Sequence, residues 1–157
     1  IGSFPDPNAA EAASRIPGVS ITRDQGEGRY VLVRGTEARL NTMTINGERI
    51  PAPEGDLRQV ALDAVPADQL QAIEVAKALT PDMDADAIGG AVNLVTRQAV
   101  SRPTLFGSAS GGYNALQRSN DQWRANFTAG RRFGSGRVGL LVGGTGSSLD
   151  RGSENFE

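Results

Sequence analysis

Asp82, Asp84 and Asp86 have the alternate spacing of the first three ligands of an EF-hand calcium loop. The pattern then fails: the sixth position is Ala87, where the sharp turn needs Gly, and the twelfth is Asn93, where a bidentate Glu belongs. The three carboxylates read as a solvated acidic loop, and no metal is expected. Gly134-Ser135-Gly136-Arg137-Val138-Gly139 has the spacing of a dinucleotide fingerprint, but it lies between two alternating runs and opens no helix. It reads as a hairpin turn. The chain has no Cys and no His, which removes thiol nucleophiles, disulfides, Cys- or His-ligated zinc and every imidazole base. No catalytic residue and no cofactor are expected, and the lack of Cys selects no redox compartment.

The elements that would position any site fall into two halves. Residues 1–98 carry 9 basic and 14 acidic side chains, whereas residues 99–157 carry 7 and 4. Glycine divides as well, with 9 in the first part and 11 in the much shorter second. Two domains are expected, 1–98 and 99–157, within a chain of 157 residues. A net charge of −2 gives no electrostatic reason to expect nucleic acid as a partner. No run approaches the roughly 18 apolar residues of a membrane helix. The N-terminus lacks a signal peptide's pattern, so a signal, if the protein is exported, is expected upstream of Ile1.

In the first half, Asp6-Pro7-Asn8 before Ala9-Ala10-Glu11-Ala12-Ala13 reads as a helix capped by Asp6 with Pro in its first turn. Val19–Thr22, Tyr30–Gly35 and Thr42–Gly47 read as strands, the last two as paired strands with exposed tips. A polar loop is expected at Thr36–Leu40 and another over Arg49–Arg58, which contains Pro51, Pro53 and Gly55. Val65–Leu70 reads as a short helix leading into Ile73-Glu74-Val75, and Ala91–Thr96 as a further strand. In the second half Leu105–Asn114, Gln122–Phe133 and Arg137–Ser147 are three long runs separated by turn residues. The middle run puts Trp123, Ala125, Phe127 and Ala129 on one face and Arg124, Asn126, Thr128 and Gly130 on the other. That alternation over about 9–11 residues is the signature of an outer-membrane barrel strand. Three strands cannot close a barrel, for which about 8 is the minimum, so the chain is expected to be part of a longer one.

The residues at the joints resemble one family, the TonB-dependent outer-membrane receptors. Val31-Leu32-Val33-Arg34-Gly35 is similar to its strand ending in Arg-Gly, and Met43-Thr44-Ile45-Asn46-Gly47 to its strand ending in Asp-Gly or Asn-Gly. Ile73-Glu74-Val75-Ala76-Lys77 resembles its Glu-Val-x-Arg segment, and Asp86–Thr96 the end of its plug domain. Leu79–Asp86 further resembles the Caulobacter-type branch. The resemblance implies an α+β plug domain, with a small mixed four-stranded sheet and short helices, followed by the first antiparallel strands of a transmembrane β-barrel. It implies a receptor in the Gram-negative outer membrane, its plug facing the periplasm, that imports a scarce nutrient with energy from TonB. The partners it implies are TonB, the rest of its own barrel and a carbohydrate, siderophore or vitamin. The family's TonB box has no match here, so the TonB-binding segment is expected ahead of Ile1.

For individual residues, the resemblance implies that Arg34, Glu74 and Lys77 dock plug to barrel. Lys77 stands where many members have Arg, which keeps the charge but loses the planar fork and implies a looser lock. Arg39, Arg49, Glu54 and Asp56 lie in loops from which family plugs touch ligand, and they could hydrogen-bond hydroxyls or an anion. Gly35, Gly47, Gly89 and Gly90 read as structural glycines serving positive φ or close approach. The rival is a soluble periplasmic binding module or an enzyme built on an acidic α/β domain with the pair Asp82 and Asp84. It predicts that residues 99–157 pack on the first half.

Overall fold

The computed structural model describes residues 6–24, 26–52, 58–81, 83, 85–114, 119–134 and 136–148. Glu54, Asp56, Asp82 and Asp84 lie outside the described residues. The chain divides into two compact units, Ile1–Arg97 and Gln98–Glu157.

The first unit opens with α1 (Ala9–Ala13). Its cap is Asn8, not Asp6: the Asn8 side chain accepts from the Glu11 N–H at 2.9 Å, and Pro7 precedes the helix. The reason is that the capping side chain is buried and must also donate. Asn8 Nδ2 reaches the Gly28 carbonyl at 3.1 Å, which an aspartate could not do. Asp6 instead takes both arms of the Arg15 guanidinium, at 2.9 and 2.6 Å. All four helix alanines are buried, and their short side chains let the helix lie close to its neighbours.

β1 (Val19–Asp24) and β2 (Glu27–Val33) form a two-stranded antiparallel sheet. The pairing expected between the second and third strands does not form. After Val33 the chain turns through two left-handed residues, Arg34 at φ 54° and Gly35 at φ 74°, then a 3-10 turn at Ala38–Leu40. That carries it into a second sheet containing β3 (Asn41–Ile45), β4 (Glu48–Arg49), β5 (Leu70–Ala76) and β6 (Gly90–Thr96). The order is β4-β3-β6-β5, with β3 parallel to β6 and the other pairs antiparallel. Asn46 and Gly47, at φ 52° and 87°, make the two-residue turn between β3 and β4. Arg49 therefore stands in an edge strand and not in a loop. The helix expected near Pro66 is a single 3-10 turn, Ala67–Gln69.

Alternation gives this sheet two faces. Met43, Val92, Leu94, Ile73 and Val75 point to a core shared with Val31, Val33, Leu62, Leu70 and the α1 alanines, and that buried cluster contains no aromatic ring. One joint ties the two sheets together. Asn41 is 5% exposed, and its Nδ2 donates to the Val31 carbonyl of β2 and to the Glu37 carbonyl, each at 3.2 Å. Gly89 is packed against it: a Cβ there would stand 2.3 Å from Asn41 Oδ1 and 2.1 Å from Thr36 Oγ1.

The second unit is a meander of β7 (Thr104–Asn114), β8 (Ser119–Phe133) and β9 (Val138–Ser148), ordered β7-β8-β9 and antiparallel. The alternation read on the middle run extends across all three strands. Leu105 pairs with Ala129, Ala129 with Val142 and Phe133 with Val138, so one face is an apolar band, interrupted toward the β8–β9 turn by Arg131 opposite Leu140. The other is mostly polar, with Ser108, Arg124, Asn126, Thr128, Thr145 and Ser147, and also carries Phe106 and Leu141. Leu105 is 78% exposed, Val138 61% and Phe127 51%, so no described residue covers the band.

The joint at Asn41 generates a prediction. In the intact protein Gly89→Ala should lower the stability of the first unit by about 1–3 kcal/mol through overpacking. Gly35→Ala, with open space around its Cβ but φ +74°, should cost about 1 kcal/mol. Urea-dependent pulse proteolysis of the two variants checks the order.

Candidate functional site

The outer face of the four-stranded sheet carries a row of polar side chains that register alone brings into line. Arg49 of β4 pairs with Thr44 of β3, Thr44 with Asn93 of β6, and Asn93 with Glu74 of β5. Asn93 is the hub. Its Oδ1 accepts from Thr44 Oγ1 at 3.0 Å and from the Gly47 N–H at 2.9 Å, while its Nδ2 donates to Glu74 at 2.9 Å. The next row, Thr42–Ala91–Ala76, has only small side chains. Together the two rows floor a cleft of about 610 Å³ whose lining also includes Met83 and Ala87.

Arg49, which lines the cleft, also belongs to a charge cluster. Asp86 pairs with Arg49 at 3.5 Å and with Arg58 more tightly, which fixes the segment after β5 against the edge strand. The floor offers hydroxyls, a carboxamide and one carboxylate, with no nucleophile beside a base. That is the equipment for recognising polar groups by hydrogen bonds, not for bond cleavage.

The residues expected at a site fall as follows. Arg49 and Glu74, assigned separately to ligand and to docking, stand at the two ends of one row. Arg39 is exposed on the 3-10 turn before β3 and pairs with Glu37, whose hydrogen bond first and charge second hold its guanidinium above the usual arginine range. No described contact joins Arg39 to Arg49. Arg34 is exposed and its guanidinium donates to the Gly89 carbonyl at 3.4 Å; it does not meet Glu74 among the described residues. Lys77 is half-buried just past β5, with its side chain alongside Gly18. Gly35, Gly47 and Gly90 have positive φ, and a Cβ on Gly90 would also lie 2.9 Å from the Ala76 carbonyl. Gly89 serves close approach alone.

Four residues were not assigned to this site from the sequence: Thr44, Asn93, Arg58 and Asp86, the last weighed there only as a calcium ligand. Asn93 left a signal, being a polar residue on the outward phase of a strand whose inward phase is Val92 and Leu94.

Comparison with known proteins gives a consistent picture. Residues 1–91 match the family model described as "TonB-dependent Receptor Plug Domain". The chain is 27% identical over 137 residues to the vitamin B12 transporter BtuB of Vibrio vulnificus, covering 85% of the chain and 21% of that relative. It is 31% identical over 112 residues to BtuB of Photobacterium profundum, covering 66% of the chain and 18% of that relative. The crystal structure of BauA, the ferric preacinetobactin receptor of Acinetobacter baumannii, superposes with a TM-score of 0.64. There the identity is 23%, over 92% of this chain and 20% of BauA. The chain thus spans about a fifth of the length of the proteins it matches.

The hub can be tested directly. Asn93→Ala removes all three side-chain bonds and should cost about 1–3 kcal/mol, whereas Glu74→Ala should cost less than about 1 kcal/mol. A double-mutant cycle between them should show a coupling of about 0.5–1 kcal/mol. Additive effects would mean that the Asn93–Glu74 contact carries no stability.

Proposed function

The chain belongs to the TonB-dependent receptor plug family, and on that premise we propose that it is the plug and the start of the barrel of an energy-coupled nutrient importer. The receptor lies in the Gram-negative outer membrane with its plug facing the periplasm. It is a transporter and not an enzyme. The observation that carries this reading is the pairing of a plug-family match over residues 1–91 with three long strands whose apolar face stands open.

Ligand binds first to the plug through Arg39 on the turn before β3, Arg49 on the edge strand β4 and the Glu54–Asp56 stretch. Arg34, Glu74 and Lys77 present charge to the barrel wall. Occupancy then drives transport only if ligand prefers the state in which the segment ahead of the plug is available to TonB, because a ligand shifts an equilibrium by its differential affinity alone.

The nutrient class follows from two supports. Leu79–Asp86 resembles the Caulobacter-type branch and favours a carbohydrate. The relatives named for vitamin B12 favour a cobalamin as the second reading.

Uptake decides both points. Cells carrying the complete receptor, a strain lacking it and a strain lacking TonB are given labelled maltooligosaccharide, cyanocobalamin or ferric enterobactin. Uptake of one of these should fall in both mutant strains, and its identity chooses between the readings. Full uptake of all three without the receptor would overturn import of these classes. At saturating levels of the transported compound, the N-terminal segment of the purified receptor should become more sensitive to protease.

A further inference from the structure

The apolar face of the β7–β9 sheet carries one cation near its edge. By alternation Arg131 shares that face with Phe127, Ala129 and Phe133, and its partner across the strand is Leu140. Its guanidinium lies over the Phe133 ring, 5.3 Å from the centroid. Phe133 and Leu140 are 48% and 57% exposed. A guanidinium set among apolar side chains that face lipid is stabilised by an anionic partner, and the sheet supplies none beside it. Between Ala99 and Ser148 the sequence has a single acidic residue, Asp121. It sits ten residues before Arg131 on the same strand, about 30 Å away along an extended chain.

The same end of the sheet is basic throughout. Arg137 precedes Val138, which pairs with Phe133, and Arg102 lies two residues before Thr104, which pairs with Gly130. On the opposite face Arg132 donates to the Ala99 carbonyl at 2.7 Å, so that neighbour is already engaged. Arg131 is the cation turned toward the apolar side.

We propose that this turn end is a binding site for an anionic glycerophospholipid, its phosphate held by the Arg131 guanidinium beside Phe133. The inference rests on the reading of β7–β9 as membrane-spanning strands. A phospholipid answers both requirements at once: acyl chains cover the Leu105, Phe127 and Val142 band, and the phosphate supplies the missing charge to a guanidinium fork. Phe133 closes β8 at the turn, and in a membrane-spanning sheet a ring at a strand end belongs to the aromatic girdle at the boundary. The chain enters the sheet at Thr104, on this same end. The proposed function puts that entry on the periplasmic side, where the leaflet is glycerophospholipid and not lipopolysaccharide.

The test uses the complete receptor in detergent, titrated with phosphatidylglycerol or phosphatidylcholine and read by native mass spectrometry. Phosphatidylglycerol should be retained at about fivefold lower concentration, the gain expected of one arginine at a lipid surface. Arg131→Gln should abolish that preference and Arg131→Lys keep part of it, while Arg124→Gln on the opposite face leaves it unchanged. A nitroxide on Leu140→Cys reads the environment independently. If it reports lipid but the preference is absent, or survives Arg131→Gln, the lipid site is wrong and the membrane-strand reading stands. If it reports water, both fall. Tighter retention of lipopolysaccharide than of phosphatidylglycerol would also overturn the site.

Discussion

A single buried carboxamide sets the geometry of the first unit. Asn41 joins β2 to the start of β3 by donating to the Val31 and Glu37 carbonyls, while its oxygen lies 3.1 Å from the Thr36 hydroxyl. A buried amide must find all of its partners, since each one left unmet costs about 1–3 kcal/mol. These bonds tie β2 directionally to the start of β3, which apolar contact alone does not do. The Gly89 backbone fits against this joint because it has no Cβ, and its N–H donates to the Leu40 carbonyl at 2.9 Å. Gly90 then opens β6 in register with Asn41. The parallel pairing of β3 and β6, 49 residues apart, begins at that contact. A core without aromatic rings depends on such polar ties more than a richer core would.

How much of this was legible in the sequence depended on how local the cause was. β3 and β8 could be read from alternation, and β2 from its β-branched apolar run, because both are properties of a single segment. The two-residue turn could be read for the same reason, since Asn46-Gly47 carries its own conformational preference. The helix cap was misread because Asp6 and Asn8 are both good caps by type. The choice between them is made by Gly28, twenty residues away, which needs a donor. The supposed β2–β3 pair failed in the same way. Arg34 takes a left-handed conformation that its residue type gives no reason to expect, and the turn it starts sends β3 to another sheet. The row Arg49–Thr44–Asn93–Glu74 needs three registers across four strands, and no single segment encodes it.

The second unit was legible for the opposite reason: it has almost no non-local structure to miss. Every pairing in β7–β9 is between sequence neighbours, so alternation and turn residues determine the sheet. Its glycines serve the rings. A Cβ on Gly144 would come within 2.8 Å of Phe127, and one on Gly146 within 3.2 Å of Trp123. These bare positions let aromatic side chains lie flat across the neighbouring strand. A sheet that lays its rings on an uncovered face is built for surroundings that solvate rings, and its polar face demands different ones. Water on both sides satisfies neither arrangement well, which weighs against the soluble rival more than strand length does.

The coupling demanded of a receptor has a physical counterpart at Arg49. This residue belongs both to the polar row and to the charge pair that fixes Asp86 against the edge strand. In the proposed receptor an anionic or hydroxyl-rich ligand that engages Arg49 competes with Asp86 for the same guanidinium. Asp86 keeps Arg58, so the competition weakens one tether of the segment after β5 without freeing it. That segment ends at Gly89, on the Asn41 joint. The energy at stake is that of an exposed pair, about 1 kcal/mol or less. Such a small bias suffices to shift populations between two states of similar energy.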